Sequence, residues 1–102
     1  MTEIETISWI LLATALASQK EPSDINSISM IADGINHSIP TEKELRMSLT
    51  WLINKGLILK QGKKYRLTEK GMALYELVSN NTATIMKIWE NLNIQLTHND
   101  LR

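Results

Sequence analysis

The stretch that decides the fold runs from Thr41 to Gly71 and reads TEKELRMSLTWLINKGLILKQGKKYRLTEKG. It opens on a capping-box pattern, Thr41 followed three residues later by Glu44. In that pairing a hydroxyl and a carboxylate satisfy two amide groups that a helix start leaves open. Leu45, Leu49, Leu52 and Ile53 then recur at the spacing of one helical stripe. Glu42 and Glu44 sit favourably at the positive end of the helix dipole, and Gly56 supplies the left-handed residue that ends the helix. From Leu57 to Thr68 the pattern becomes that of a β-hairpin, with Leu57-Ile58-Leu59-Lys60 and Tyr65-Arg66-Leu67-Thr68 flanking Gln61-Gly62-Lys63-Lys64. A connection of three or five residues sets Leu57 opposite Leu67 and Leu59 opposite Tyr65, all on one face. A two-residue connection sets Leu59 against Arg66 and mixes the faces, so the longer connection is expected. Thr68 is placed to cap a further helix, Glu69 to about Ser79, with Met72, Tyr75 and Val78 inward and Leu74 and Leu77 assisting.

Working outward, a first helix is expected from about Thr2 to Ser18. Ile4, Ile7, Leu11 and Ala15 form one stripe, and Trp9, Ala13 and Leu16 another, with Ile10 on a flank. A helix apolar on both sides needs cover on both sides. One cover is the domain's own core; the other is either the C-terminal helix or a second subunit. Glu21-Pro22-Ser23-Asp24 interrupts the pattern, because proline and its predecessor resist helix. A second helix follows from Asn26 or Ser27 to about Ile35, with Ile28, Ile31, Ala32 and Ile35 inward, then a turn over Asn36 to Pro40. The last helix, about Thr82 to Leu96, aligns Ile85, Ile88, Trp89, Leu92 and Leu96. The chain thus reads as one mainly α domain with a small β-hairpin over residues 1–97, and residues 98–102 as a frayed tail.

The totals narrow the function classes. The chain has 102 residues, 43% of them apolar, which suits one compact domain. The apolar segment Ile7 to Ala17 is shorter than the roughly 20 residues a membrane span requires. Ala13-x-Ala15 and Ala15-x-Ala17 mimic a signal-cleavage site, but Glu3 and Glu5 stand where a basic leader belongs. The expectation is a core helix of a cytoplasmic protein, which makes the glycosylation patterns at Asn36 and Asn80 chance matches. Cysteine is absent, so disulfides and thiolate metal sites are excluded. Net charge is zero but unevenly distributed. Residues 1–40 carry five acids against Lys20, whereas residues 41–70 carry eight bases against Glu42, Glu44 and Glu69. Such polarity can present an anion-binding face on a neutral molecule, or be no more than an uneven solvated surface.

Helix, helix, turn, helix and hairpin is the order of a winged helix-turn-helix. Leu49-x-x-Leu52-Ile53-x-x-Gly56-Leu57-Ile58 followed by Tyr65-Arg66-Leu67-Thr68-Glu69-Lys70-Gly71 resembles the recognition-helix, wing and LTEKG run of PadR-like and MarR-like regulators. The likeness covers roughly residues 41 to 72. Asp33 to Thr41 also resembles a motif of small bacterial winged-helix proteins to which no function is assigned, so fold membership alone does not settle activity. The resemblance implies binding to double-stranded DNA by a homodimer joined through its terminal helices. The third helix would enter the major groove and the Gln61–Lys64 tip would touch backbone or minor groove. On a helical wheel Lys43, Met47, Thr50 and Asn54 point away from the leucine stripe, with Arg46 beside them. Arg46 and Asn54 carry groups able to read base edges, Lys43, Lys63 and Lys64 can neutralise phosphate, and Arg66 faces outward by strand alternation. The candidate dimer contacts are Trp9, Ala13, Leu16, Ile85, Trp89 and Leu92.

Glu42 and Glu44 weigh against strong DNA binding, since they lie where base contacts concentrate, and so does the neutral total. The alternative is a winged-helix module that binds protein instead. Asp33 and His37, spaced i, i+4, suggest a metal pair, but only His98 remains to complete a ligand set. Asp33, Asn36 and Ser38 are better suited to bonding the backbone of the turn. Nothing points to an enzyme, a metal or a cofactor: there is no nucleophile elbow, phosphate-cradling glycine loop or carboxylate pair. Trp51 falls beside the outward stripe, against the first helix or in an interface.

Overall fold

The computed structural model describes residues 1–80 and 84–100. Five helices and a three-stranded antiparallel sheet follow in the order α1 (Glu3–Ala17), β1 (Ser23–Asp24), α2 (Ile25–Asn36), α3 (Glu42–Asn54), β2 (Ile58–Gln61), β3 (Lys64–Leu67), α4 (Glu69–Ser79) and α5 (Ile85–Asp100). Side-chain caps fix the starts of four of these helices. Thr2 and Glu5 form a full capping box on α1, and Thr41 and Glu44 another on α3. The Asp24 carboxylate accepts the Ser27 N–H at the start of α2, and Thr68 accepts the Gly71 N–H at the start of α4.

The core forms around α1, whose residues Thr6 to Ala15 are all buried. Buried hydroxyls on this helix return to its own carbonyls, Thr6 to Thr2 and Thr14 to Ile10, so that side chains with polar tips are accommodated in the interior. Helices α2, α3 and α5 all pack on it. The Trp9 indole N–H donates to the Ala32 carbonyl of α2 at 2.9 Å. From α5, the Trp89 indole N–H donates to the Glu5 carbonyl and to Ser8 Oγ, at 3.0 and 3.1 Å. The two indoles meet with ring centres 6.2 Å apart. Of the two covers open to the second side of α1, the chain supplies its own: Ile88, Leu92 and Leu96 of α5 are buried.

The sheet order is β1-β3-β2, and β1 was not foreseen in the sequence. The hairpin register differs from expectation. Ile58 lies opposite Leu67, Leu59 opposite Arg66, Lys60 opposite Tyr65 and Gln61 opposite Lys64, leaving the two-residue connection Gly62-Lys63. Gly62 has φ +63 and Lys63 has no positive φ, the pattern of a type II′ turn, whose twist suits a hairpin. Ile58, not Leu59, is therefore the inward residue, and Leu57 is buried just ahead of the strand.

Four further expectations are corrected. Ile31 and Ile53 lie at the rims of their helices and are exposed, as are Met72 and Leu77 of α4, which rests on the core through Gly71 and Val78. Helix α5 runs on to Asp100, past the expected end at Leu96; its expected start, Thr82, falls outside the described residues, as do residues 101–102. The turn after α2 is made by His37 in the left-handed conformation (φ 53), with its N–H on the Asp33 carbonyl at 2.7 Å. Among the described residues no side-chain hydrogen bond from Asp33, Asn36 or Ser38 takes part in it. None of the described helices is long and apolar enough to cross a membrane.

Candidate nucleic-acid interface

The LTEKG run is what sets the hairpin beside α3. Helix α3 ends as Gly56, with φ +74, donates to the Ile53 carbonyl, and Leu57 donates to Leu52. Thr68 Oγ1 donates to the Gly56 carbonyl at 2.6 Å while accepting the Gly71 N–H at 3.0 Å. Lys70 Nζ donates to the Lys55 carbonyl at the end of α3, and the Thr68 N–H donates to Leu57. One hydroxyl and one ammonium thereby tie the C-terminus of α3, the root of the hairpin and the start of α4 together. Lys70 is engaged in this tie.

Between α3, the first residue of α2 and the hairpin lies a groove of about 520 Å³. Its floor is apolar, with Ile25, Leu49 and Ile53, and its rim carries Arg46, Thr50, Lys60, Lys63 and Tyr65. Among the described residues no carboxylate lines it, and the nearest to its cations is Glu42, which stands against Arg46. The Lys60 ammonium lies 5.8 Å from the centre of the Tyr65 ring, which holds it over an aromatic face. Arg46 is paired one turn back: Nη2 is 2.7 Å and Nε 2.9 Å from the same Glu42 oxygen, with the two side chains 73% and 75% exposed.

The candidate DNA contacts separate into three groups. Arg46, Thr50 and Lys63 share the groove. Lys43 and Asn54 are exposed on the outer ridge of α3, while Met47, placed with them by the helical wheel, is half-buried against the core. Lys64 and Arg66 alternate with Tyr65 and Leu67, so they occupy the opposite sheet face. There Lys64 lines a second pocket with Asp24 and Glu21. The Asp24 carboxyl is held below the ordinary range by the Ser27 amide, with a smaller contribution from Lys64.

Lys60 and Tyr65 were missed as a pair, and the cause is the register. The longer connection puts them on opposite faces; the two-residue connection puts them directly across from each other. The signal was Gln61-Gly62-Lys63, with glycine at the position where a type II′ turn requires it. Trp51 is half-buried against the core with Lys55 Nζ 5.3 Å from its ring centre.

Of the candidate dimer contacts, Trp9, Ala13 and Leu92 are interior to the single chain, a correction that follows from α5 covering α1. Leu16 and Trp89 are half-buried and Ile85 is exposed. Among the described residues no three His, Asp or Glu side chains converge as a metal site. No protein-family model, curated protein or solved structure matches the chain.

Proposed function

We propose that the chain is a DNA-binding transcriptional regulator of winged-helix type, with α3 entering the major groove of duplex DNA and the Gly62-Lys63 tip resting on the backbone. The observation that carries this reading is the convergence of Lys60 and Lys63 with Arg46, Thr50 and Tyr65 along one groove, where Glu42 offsets the charge of Arg46 and leaves the two lysines uncompensated. Cations gathered in this way attract a polyanion that the neutral chain as a whole does not. The element order α1-β1-α2-α3-β2-β3 and the sheet order β1-β3-β2 support the same type. The proposal includes a cytoplasmic location and a homodimer, with the outer side of α5, where Ile85, Met86 and Ile94 are exposed, as the contact surface.

Fluorescence anisotropy with random-sequence duplex at low salt tests the reading. Binding at roughly 100 μM or tighter is expected, strongly weakened by added salt. Lys60→Glu and Lys63→Glu should each abolish it. No binding by the native chain, or binding indifferent to both changes, overturns the proposal. Light scattering at several concentrations tests the dimer.

A protein-interaction module on the same scaffold is the second reading. It is favoured by Glu42, which occupies Arg46, and by the exposure of Met30 and Ile39. A partner lost on Ile39→Asp, in a chain that ignores DNA, would establish it.

A further inference from the structure

The Glu42–Arg46 pair is poorly explained as a device for stability. An exposed i, i+4 ion pair contributes little to folding. It also weakens a phosphate-binding face, because Glu42 cancels the charge of the one arginine on the groove. Its geometry is informative in another way. Arg46 commits Nε and one Nη2 hydrogen to a single oxygen of Glu42. A guanidinium has five N–H groups. Both Nη1 hydrogens and the second Nη2 hydrogen remain, and one Nη1 hydrogen with that Nη2 hydrogen forms a fork directed away from the pair. Glu42 keeps its other oxygen as an acceptor with no partner among the described residues. The pair stands on the first turns of α3, the end of such a helix that reaches base edges.

A guanine presents two acceptors, O6 and N7, to the major groove, and a cytosine presents an N4 amino donor. We infer that Glu42 and Arg46 act as one reading unit that selects a G·C step: the Arg46 fork donates to guanine O6 and N7, and the free Glu42 oxygen accepts from the N4 amino group of a cytosine beside it. Glu42 also positions Arg46, since the two bonds to one oxygen hold the guanidinium plane. The acidic residue that opposes general DNA affinity then provides discrimination, because it is repelled by phosphate and best satisfied by the cytosine amino group, adenine setting its N7 acceptor beside its own amino donor. This inference rests on the DNA reading above.

The experiment is selection from a randomised duplex library by the native chain and by Glu42→Gln, followed by binding to the selected site and to unselected duplex. The native chain should enrich sites with an adjoining guanine and cytosine. Glu42→Gln should bind unselected duplex more tightly, having lost a negative charge. It should also lose roughly tenfold or more of its preference at the cytosine position. The thermal unfolding midpoint of the variant should fall only slightly, since Glu42 is exposed and gives up no more than its helix-dipole contact and a surface ion pair. Duplex binding without G·C enrichment, or a profile that Glu42→Gln leaves unchanged, overturns this inference and leaves the DNA reading standing. No retention of any duplex by either protein at low salt overturns both.

Discussion

A Cβ placed on Gly71 would fall on the carbonyl oxygen of Leu57, well inside van der Waals contact. The third residue of α4 thus lies directly on the root of the hairpin, and the close approach holds the two at a fixed distance. At an ordinary helical position, alanine in place of glycine stabilises by up to ~1 kcal/mol. At Gly71 the clash is with backbone, which cannot rotate away, and overpacking of this kind costs about 1–3 kcal/mol or more. Gly71→Ala should therefore destabilise the fold by at least ~1 kcal/mol net in urea unfolding. A variant as stable as the native chain would mean that α4 does not sit on Leu57.

The hairpin register makes opposite predictions for neighbouring residues. Ile58 is 2% exposed and Leu59 40% exposed. Ile58→Ala should cost ~2–5 kcal/mol by removing buried methyl groups. Leu59→Thr should change stability by no more than ~0.5 kcal/mol. The longer hairpin connection requires the reverse ranking, so a pair of unfolding curves decides between the registers.

Local signals were legible where one residue type has one job. Thr41 with Glu44 announced α3, Gly56 its end, and Thr68 the start of α4. Register was less legible, because Leu57-Ile58-Leu59 offers an apolar side chain to either face. The pattern of large aliphatics was satisfied by the wrong choice, while a single glycine in the turn encoded the right one. That slip rotated Lys60 away from the groove and concealed one of the three cations on its rim. β1 was illegible for a different reason: two residues are too short for any periodicity, and Ser23 and Asp24 pair with β3 through backbone alone. The cover over Trp9 was open in the sequence because an intrachain helix and a partner helix have the same stripe.

Ser48 on α3 is fully buried, and its hydroxyl has no hydrogen-bond partner among the described residues. Thr14 in the same core bonds its hydroxyl to Ile10. An unsatisfied buried hydroxyl costs about 1–3 kcal/mol, and alanine is also the better helix former. Ser48→Ala should raise the midpoint of thermal unfolding, by an amount corresponding to ~1 kcal/mol. Thr14→Ala should lower it. A fall for Ser48→Ala would indicate that the hydroxyl does have a partner.

Two capping carboxylates make stability depend on acid pH. Asp24 is held below the ordinary carboxylate range chiefly by the Ser27 amide, and Glu5 chiefly by its hydrogen bond with Thr2. A pKa lowered by folding contributes stability that is complete above the unfolded value of about 4 and is lost as pH falls through the lowered folded value. Both groups reach solvent, so the contribution is modest. Asparagine and glutamine preserve the caps without titrating. The double variant Glu5→Gln, Asp24→Asn should lose less of its unfolding midpoint between pH 5 and pH 2 than the native chain. Parallel curves would show that neither carboxylate is held down by its cap.

The two faces of the hairpin should contribute unequally to DNA binding. Lys60 and Lys63 rim the groove with Arg46, whereas Lys64 lies beside Asp24 and Arg66 on the far face. A lysine on phosphate releases a counterion, so removing it weakens binding to all sequences alike and lowers the slope of log affinity against log salt by about 1. Lys60→Gln and Lys63→Gln should each show that change. Lys64→Gln and Arg66→Gln should leave the slope nearly untouched, since a duplex seated against α3 does not reach the opposite sheet face. If Arg66→Gln lowers the slope and Lys60→Gln does not, the duplex approaches from the other side and the groove is not its seat.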